Sequence, residues 1–176
     1  MRVIGEIASQ ELIWMQPDAL KSVYELRAGD EIAATLLWET KYGALAEAAE
    51  GRWRFTREGI INQRNTIREA ASNTDIALYK PKFTSSGGRL LLSGGDGFTW
   101  QNVRFWGSEK AWLDAAGTPL ARFDSTSLKK IAVTIEPAAA RLPQLSLLLA
   151  VGCYLLVLSY RDTTKLAAKG ASPATP

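Results

Sequence analysis

The chain contains no histidine among its 176 residues and a single cysteine, Cys153. The first absence removes the commonest general base and metal ligand, and with them the Ser-His and Cys-His nucleophile pairs. The second excludes an intramolecular disulfide and a cysteine-built zinc site. No secretory signal is expected in "MRVIGEIASQELIW", which carries Glu6 and Glu11 and has no long apolar run. The formal charge of +3, from 21 basic and 18 acidic residues, is too small to demand a nucleic-acid partner. These absences predict a non-enzymatic protein with no catalytic residue, no cofactor and no metal. It is expected in the cytoplasm, with an anionic phospholipid or membrane surface as a candidate partner, no nucleic acid, and protein partners left open.

What is present is a cadence. Between Glu11 and Pro137, short apolar-alternating runs are broken by turn residues every eight to twelve positions, the pattern of an all-β sandwich or barrel. "SVYELRA" places Tyr24 and Leu26 on one face, and "EIAATLLW" places Ile32, Ala34, Leu36 and Trp38 on one face. "ALAEAA" is short and reads as a strand despite its helical propensity. "GRWRFTR" and "IINQRNTIR" form a hairpin about Glu58-Gly59-Ile60. "DIALYK", "RLLLS", "FTWQNVRFW", "KAWLDA", "PLARFDS" and "LKKIAVTIE" follow, separated by "SSGG", "GGDG", "GSE" and "AAGT". The sum is about twelve strands with no βαβ alternation and no fixed repeat, which argues against parallel α/β folds, propellers and solenoids.

One segment breaks the cadence. "QLSLLLAVGCYLLVLSY" is apolar on every side from Leu147 to Leu158 except for the Tyr154 hydroxyl. Such a helix must be surrounded by protein or by lipid. Pro143 suits its first position and Arg161 its negative end. Leu145 to Tyr160 would span about 24 Å at about 1.5 Å per residue, short of a roughly 30 Å hydrocarbon core. A barrel of about twelve strands, in turn, has a lumen too wide for side chains alone and wide enough for a helix. Burying about ten large apolar side chains is worth about 15–30 kcal/mol before entropy. The expected fold is therefore mainly β, a closed antiparallel barrel of about twelve strands enclosing a hydrophobic C-terminal helix. Residues 1–161 form one domain with the helix at about 142–161, and 162–176 form a flexible tail. The alternative is a tail-anchored protein with a cytosolic β domain and Leu145–Tyr160 in the bilayer.

The strand count, the closing apolar helix, and stretches such as "YELRAGDEIAATLLW" and "AWLDAAGTPLARF" resemble the tubby C-terminal-like superfamily. That group includes the phospholipid scramblases and the LURP-one-related proteins. The resemblance covers about residues 11–161 and implies a twelve-stranded barrel around a central C-terminal helix. It also implies a binding or scaffold module that associates with anionic phospholipid head groups. The acidic calcium-binding segment of scramblases has no equivalent here.

The hairpin supplies the candidate surface. With Trp53 and Phe55 facing the core beside Ile61 and Ile67, Arg52, Arg54, Arg64 and Arg68 share the solvent face. Four guanidinium forks would read phosphate. The competing reading is a solvated face whose arginines pair with Glu50, Glu58 and Glu69. The six tryptophans, Trp14, Trp38, Trp53, Trp100, Trp106 and Trp112, alternate with polar neighbours and fit a barrel core. Asp96 in "SGGDGF" lacks the partners of a phosphate or calcium loop and reads as a hairpin turn, as does Asp114. A hydrolase or isomerase using these carboxylates is a third reading. Cys153 reads as an inert core thiol.

Overall fold

The computed structural model describes residues 1–18, 21–59, 63–82, 87–103 and 108–170, with side chains to 164. Twelve strands follow one another: β1 (Leu12–Met15), β2 (Val23–Ala28), β3 (Glu31–Trp38), β4 (Ala44–Ala48), β5 (Gly51–Glu58) and β6 (Arg64–Glu69) make the first half. The second half is β7 (Asp75–Pro81), β8 (Gly88–Leu92), β9 (Gly97–Asn102), β10 (Glu109–Leu113), β11 (Pro119–Ser127) and β12 (Lys130–Ile135). Each pairs antiparallel with its sequence neighbours, and β1 pairs with β12 through Leu12–Val133 to Met15–Lys130, closing the barrel. A single helix, α1 (Leu145–Gly170), follows.

The period-two pattern decides which side chains enter the lumen. Tyr24, Leu26 and Ala28 are buried on β2, and Ile131, Val133 and Ile135 on β12. "ALAEA" is a strand, with Ala44, Ala46 and Ala48 all inward. Ile32 departs from expectation. The β2–β3 register pairs Leu26 with Ala34 but Arg27 with Ile32, so Ala33 is an extra, bulged residue. The bulge buries Ala33 and turns Ile32 out beside Arg27. The β5–β6 loop is also longer than a tight hairpin, because Glu58 pairs with Arg64. Ile61, Trp106, Ser85, Ser86 and Gly107, which the strand and turn readings used, lie outside the described residues.

The helix lies in the lumen. From Leu145 to Leu158 every residue but Gly152 belongs to the buried core, apart from Ser146, itself buried but polar. Its path is set by side-chain size. It packs against β3, β4, β5 and β11, and Ala34, Ala44, Ala46 and Ala48 of β3 and β4 leave it room. The opposite wall is thick with Trp14, Trp100, Trp112 and Phe123, and the helix meets it at Gly152, whose missing side chain admits the Phe123 ring. Trp112 Nε1 donates to the Leu148 carbonyl at 2.8 Å, satisfying a buried indole. Trp14, Trp38, Trp53, Trp100 and Trp112 are all core residues.

Two helix expectations are corrected. Pro143 precedes the helix, and the Gln144 carbonyl accepts the first helical bond from Leu148 N. The helix also continues to Gly170, so residues 162–170 are helical and not tail. At 26 residues it is about 39 Å long. Leu145–Thr164 is long and apolar enough to cross a membrane, so length no longer separates the two readings; 78% of its most apolar 18-residue stretch is buried inside the protein. At the entry end a short 3-10 turn, Ile4–Ile7, adds Ile4 and Ile7 to the core and touches the helix.

Candidate functional site

The sequential meander fixes two ends. Loops β1–β2, β3–β4, β5–β6, β7–β8, β9–β10 and β11–β12 lie at one end, and the remaining turns at the other. The helix enters at the second end and leaves at the first, where its Arg161 and Asp162 meet Trp38 and Arg57, at the last turns of β3 and β5.

The structure brings Arg52, Arg54, Arg64 and Arg68 to the outer face of β5 and β6, with Arg54 directly across from Arg68. Trp53, Phe55 and Ile67 face inward. Each arginine has a carboxylate neighbour: Arg52 with Glu47 at 3.7 Å, Arg54 with Glu39 at 3.4 Å, Arg64 with Glu58 at 3.3 Å. Arg68 takes Asp75 at 2.6 Å and shares Glu58 at 3.5 Å. Of the three carboxylates named from sequence, only Glu58 serves. Glu50 accepts the Ile4 amide at 2.7 Å, and Glu69 accepts Ala71 N and Ser72 N; the Ser72 hydroxyl first, then the Ser72 and Ala71 amides, hold its carboxyl below the ordinary range. A groove of about 480 Å³ crosses this face, where Arg64 and Arg68 are matched by Glu58 and Asp75. The face is a charge-balanced lattice of the kind that contributes little to stability, about 0–1 kcal/mol per exposed pair.

A second constellation sits at the exit mouth. Arg57, inward by its alternation with Phe55, donates to Asp162 at 2.8 Å and lies 5.1 Å above the Tyr42 ring. Tyr154 O–H donates to the Tyr42 carbonyl at 2.7 Å, near Asn65 Oδ1 at 3.3 Å, and its ring stacks on Trp38. The Arg161 guanidinium also lies over the Trp38 ring, 4.0 Å from its centroid. Burial pushes the Tyr154 phenol up, with Arg57 opposing and Asp162 adding. On the opposite wall Lys110 faces inward above the Trp100 ring, and burial holds its ammonium below the ordinary lysine range. Arg57 and Lys110 escaped the sequence reading. The signal was there: each stands two positions from an inward aromatic, Phe55 and Trp112, on the same strand.

Asp96 and Asp114 occupy separate turns at the entry end. Asp114 Oδ1 caps its own loop by accepting Ala116 N and Thr118 N at 2.9 and 2.8 Å. Among the described residues no three metal-ligating side chains cluster. Cys153 is fully buried, and burial raises its thiol well above the ordinary range. Comparison with protein-family models, with curated proteins and with solved structures returns no match.

Proposed function

We propose that the protein is a binding or scaffold module of the tubby-like and scramblase-like type, which docks on anionic phospholipid without catalysing a reaction. The architecture supports the type: its lumen is filled by its own helix, which leaves the outer surface and the mouth for partners. One observation carries the docking mode. All nine lysines belong to the helix-exit end: Lys21, Lys41, Lys80, Lys82, Lys110, Lys129, Lys130, and Lys165 and Lys169 on the emerging helix. The turns at the entry end hold Asp30, Glu50, Asp96 and Asp114 instead. Such a dipolar barrel orients its exit mouth toward a negative surface, at about 1 kcal/mol for each lysine near the lipid.

The paired arginines Arg52, Arg54, Arg64 and Arg68 are the alternative contact, and sedimentation with vesicles containing phosphatidylserine tests both. Reversal at Lys41, Lys82 and Lys129 is expected to abolish binding, and reversal of the four arginines to weaken it less. The opposite ranking assigns contact to the arginine face. Binding that survives both sets removes the anionic-lipid reading.

The tail-anchored reading draws on the apolar Leu145–Thr164 segment. It requires the helix to leave the lumen and expose the alanine and tryptophan walls to water. Fractionation without detergent separates the two, since a plugged barrel stays in the supernatant in the absence of vesicles.

A further inference from the structure

Among the described residues five large apolar side chains are exposed, and three of them, Leu37, Val103 and Tyr160, belong to the helix-exit end. An exposed leucine standing alone needs no explanation. Leu37, 40% exposed, does not stand alone. The β2–β3 register sets Val23 opposite it on one side, and the β3–β4 register sets Leu45 opposite it on the other. All three point outward, since their neighbours Tyr24, Trp38 and Ala44 are turned into the core. The row runs along the rim: Val23 begins β2, Leu37 precedes the last residue of β3, and Leu45 is the second residue of β4. Followed sideways, it becomes Arg54 on β5 and Arg68 on β6, so its apolar part ends at β4.

The emerging helix completes the patch. Tyr160, 55% exposed, lines a cleft together with Tyr24 of β2, and Arg161 lies over the Trp38 ring of β3, so the helix presents both residues above β2 and β3. Cations frame the row. Lys21 is exposed in the β1–β2 loop, and Lys41 of the β3–β4 loop lies 4.6 Å from the Tyr42 ring centroid. Of the carboxylates nearby, Glu39 is paired with Arg54 and Asp162 with Arg57, and the β1–β2 loop adds Asp18 against the three cations.

An aliphatic row with a phenol at its border and basic residues around it matches the layering of a bilayer interface. Basic side chains meet anionic head groups, an aromatic ring sits at head-group level, and aliphatic side chains reach the acyl boundary. The lysines are not confined to the patch but continue round the rim to Lys80 and Lys129. That spread suits an extended charged plane better than a protein fitted to the row alone. We infer that the barrel seats itself on an anionic bilayer tilted toward β2–β4, with Leu37 and Tyr160 entering the interface and Val23 and Leu45 beside them. The inference rests on the lipid-docking reading above and adds which part of the mouth goes in. The insertion is shallow, and α1 stays in the lumen throughout.

Single introduced cysteines carrying a nitrobenzoxadiazole label test it, at Leu37→Cys and Tyr160→Cys and, as the entry-end control, Val3→Cys. The native Cys153 is fully buried and stays unlabelled in the folded chain. With vesicles of phosphatidylserine and phosphatidylcholine, the labels at positions 37 and 160 are expected to brighten, shift to the blue and be quenched by spin-labelled lipid. The label at position 3 should not change. Leu37→Ser, which alters no charge, should weaken sedimentation with the same vesicles about tenfold. Unchanged labels at 37 and 160 on sedimented protein, or full-strength sedimentation of Leu37→Ser, overturn the insertion and leave charge-led docking in place. No sedimentation of the parent chain removes the docking reading and this inference together. Brightening at position 37 with protein concentration alone, without vesicles, assigns the row to a second copy and likewise overturns it.

Discussion

Arg57 on β5 and Asp162 on α1 meet at 2.8 Å across 105 residues of sequence, tying the helix to the wall where it leaves the barrel. The Arg57 side chain is 12% exposed and Asp162 37%, so the pair is sheltered on one side only. Among the described residues Arg57 Nε has no hydrogen-bond partner, and its charge is met through Asp162. Asp162→Ala is expected to cost about 1–3 kcal/mol, most of it from stranding a sheltered guanidinium. Adding Arg57→Leu should restore a good part of the loss. Urea unfolding of the single and double variants checks both steps, and additive losses would show that the two groups do not act as a pair.

Gly152 gives a second handle on the same interface. A Cβ built there would stand 2.5 Å from Phe123 Cζ and 2.9–3.0 Å from both Cε atoms. The Phe123 ring cannot yield easily, because it is fully buried with its centroid 5.2 Å from Trp100's. Overpacking of this kind costs about 1–3 kcal/mol, against a helix-propensity gain of about 1 kcal/mol for Gly→Ala. Gly152→Ala should therefore destabilise on balance, and Phe123→Leu in the same chain should reverse the sign. A rise in midpoint temperature for Gly152→Ala alone would contradict the packing.

The contrast between these residues shows what a sequence makes legible. Strand order, the inward aromatics and the plug were readable because alternation and all-round apolarity are local properties. The Ala33 bulge was not, since an extra residue is visible only against the partner strand. The helical extension to Gly170 was hidden because "RDTTKLAAKG" lacks the apolar face that marks a packed helix. The arginine face was placed correctly, yet three of its partners came from elsewhere: Glu47 on β4, Glu39 beyond β3 and Asp75 on β7. Lys110 and Arg57 were overlooked because charged residues in strands are ordinarily assigned to solvent. Near a barrel mouth that rule fails, since the inward side there is partly wet.

Alkaline pH should loosen the barrel through its buried phenols, which acid leaves protonated and unchanged. Burial raises the Tyr24 phenol from 10.0 to about 12 and pushes Tyr79 and Tyr154 up as well. In the unfolded chain these phenols ionise near 10, while in the folded chain they stay neutral. Their contribution is therefore complete below about pH 10 and declines as pH rises toward 12 and beyond. Unfolding midpoints in urea between pH 8 and 11.5 should be flat at first and then fall, and Tyr24→Phe should flatten the fall. A variant that declines as steeply as the parent would place the alkaline sensitivity elsewhere.

Ala46 discriminates most directly between a helix held by protein and one held by lipid. It is fully buried at the middle of β4, across from Leu36 and Trp53, on a strand that packs against the helix. A leucine there adds three carbons to a space already occupied by α1, and should cost about 1–3 kcal/mol and shift the unfolding midpoint accordingly. Were the helix withdrawn into a bilayer, the same leucine would enter a vacated lumen and would leave stability unchanged or raise it. Ala46→Leu measured in buffer and with lipid vesicles distinguishes the cases. A penalty present in both places the helix in the barrel throughout, whereas one that vanishes with vesicles shows that lipid draws the helix out.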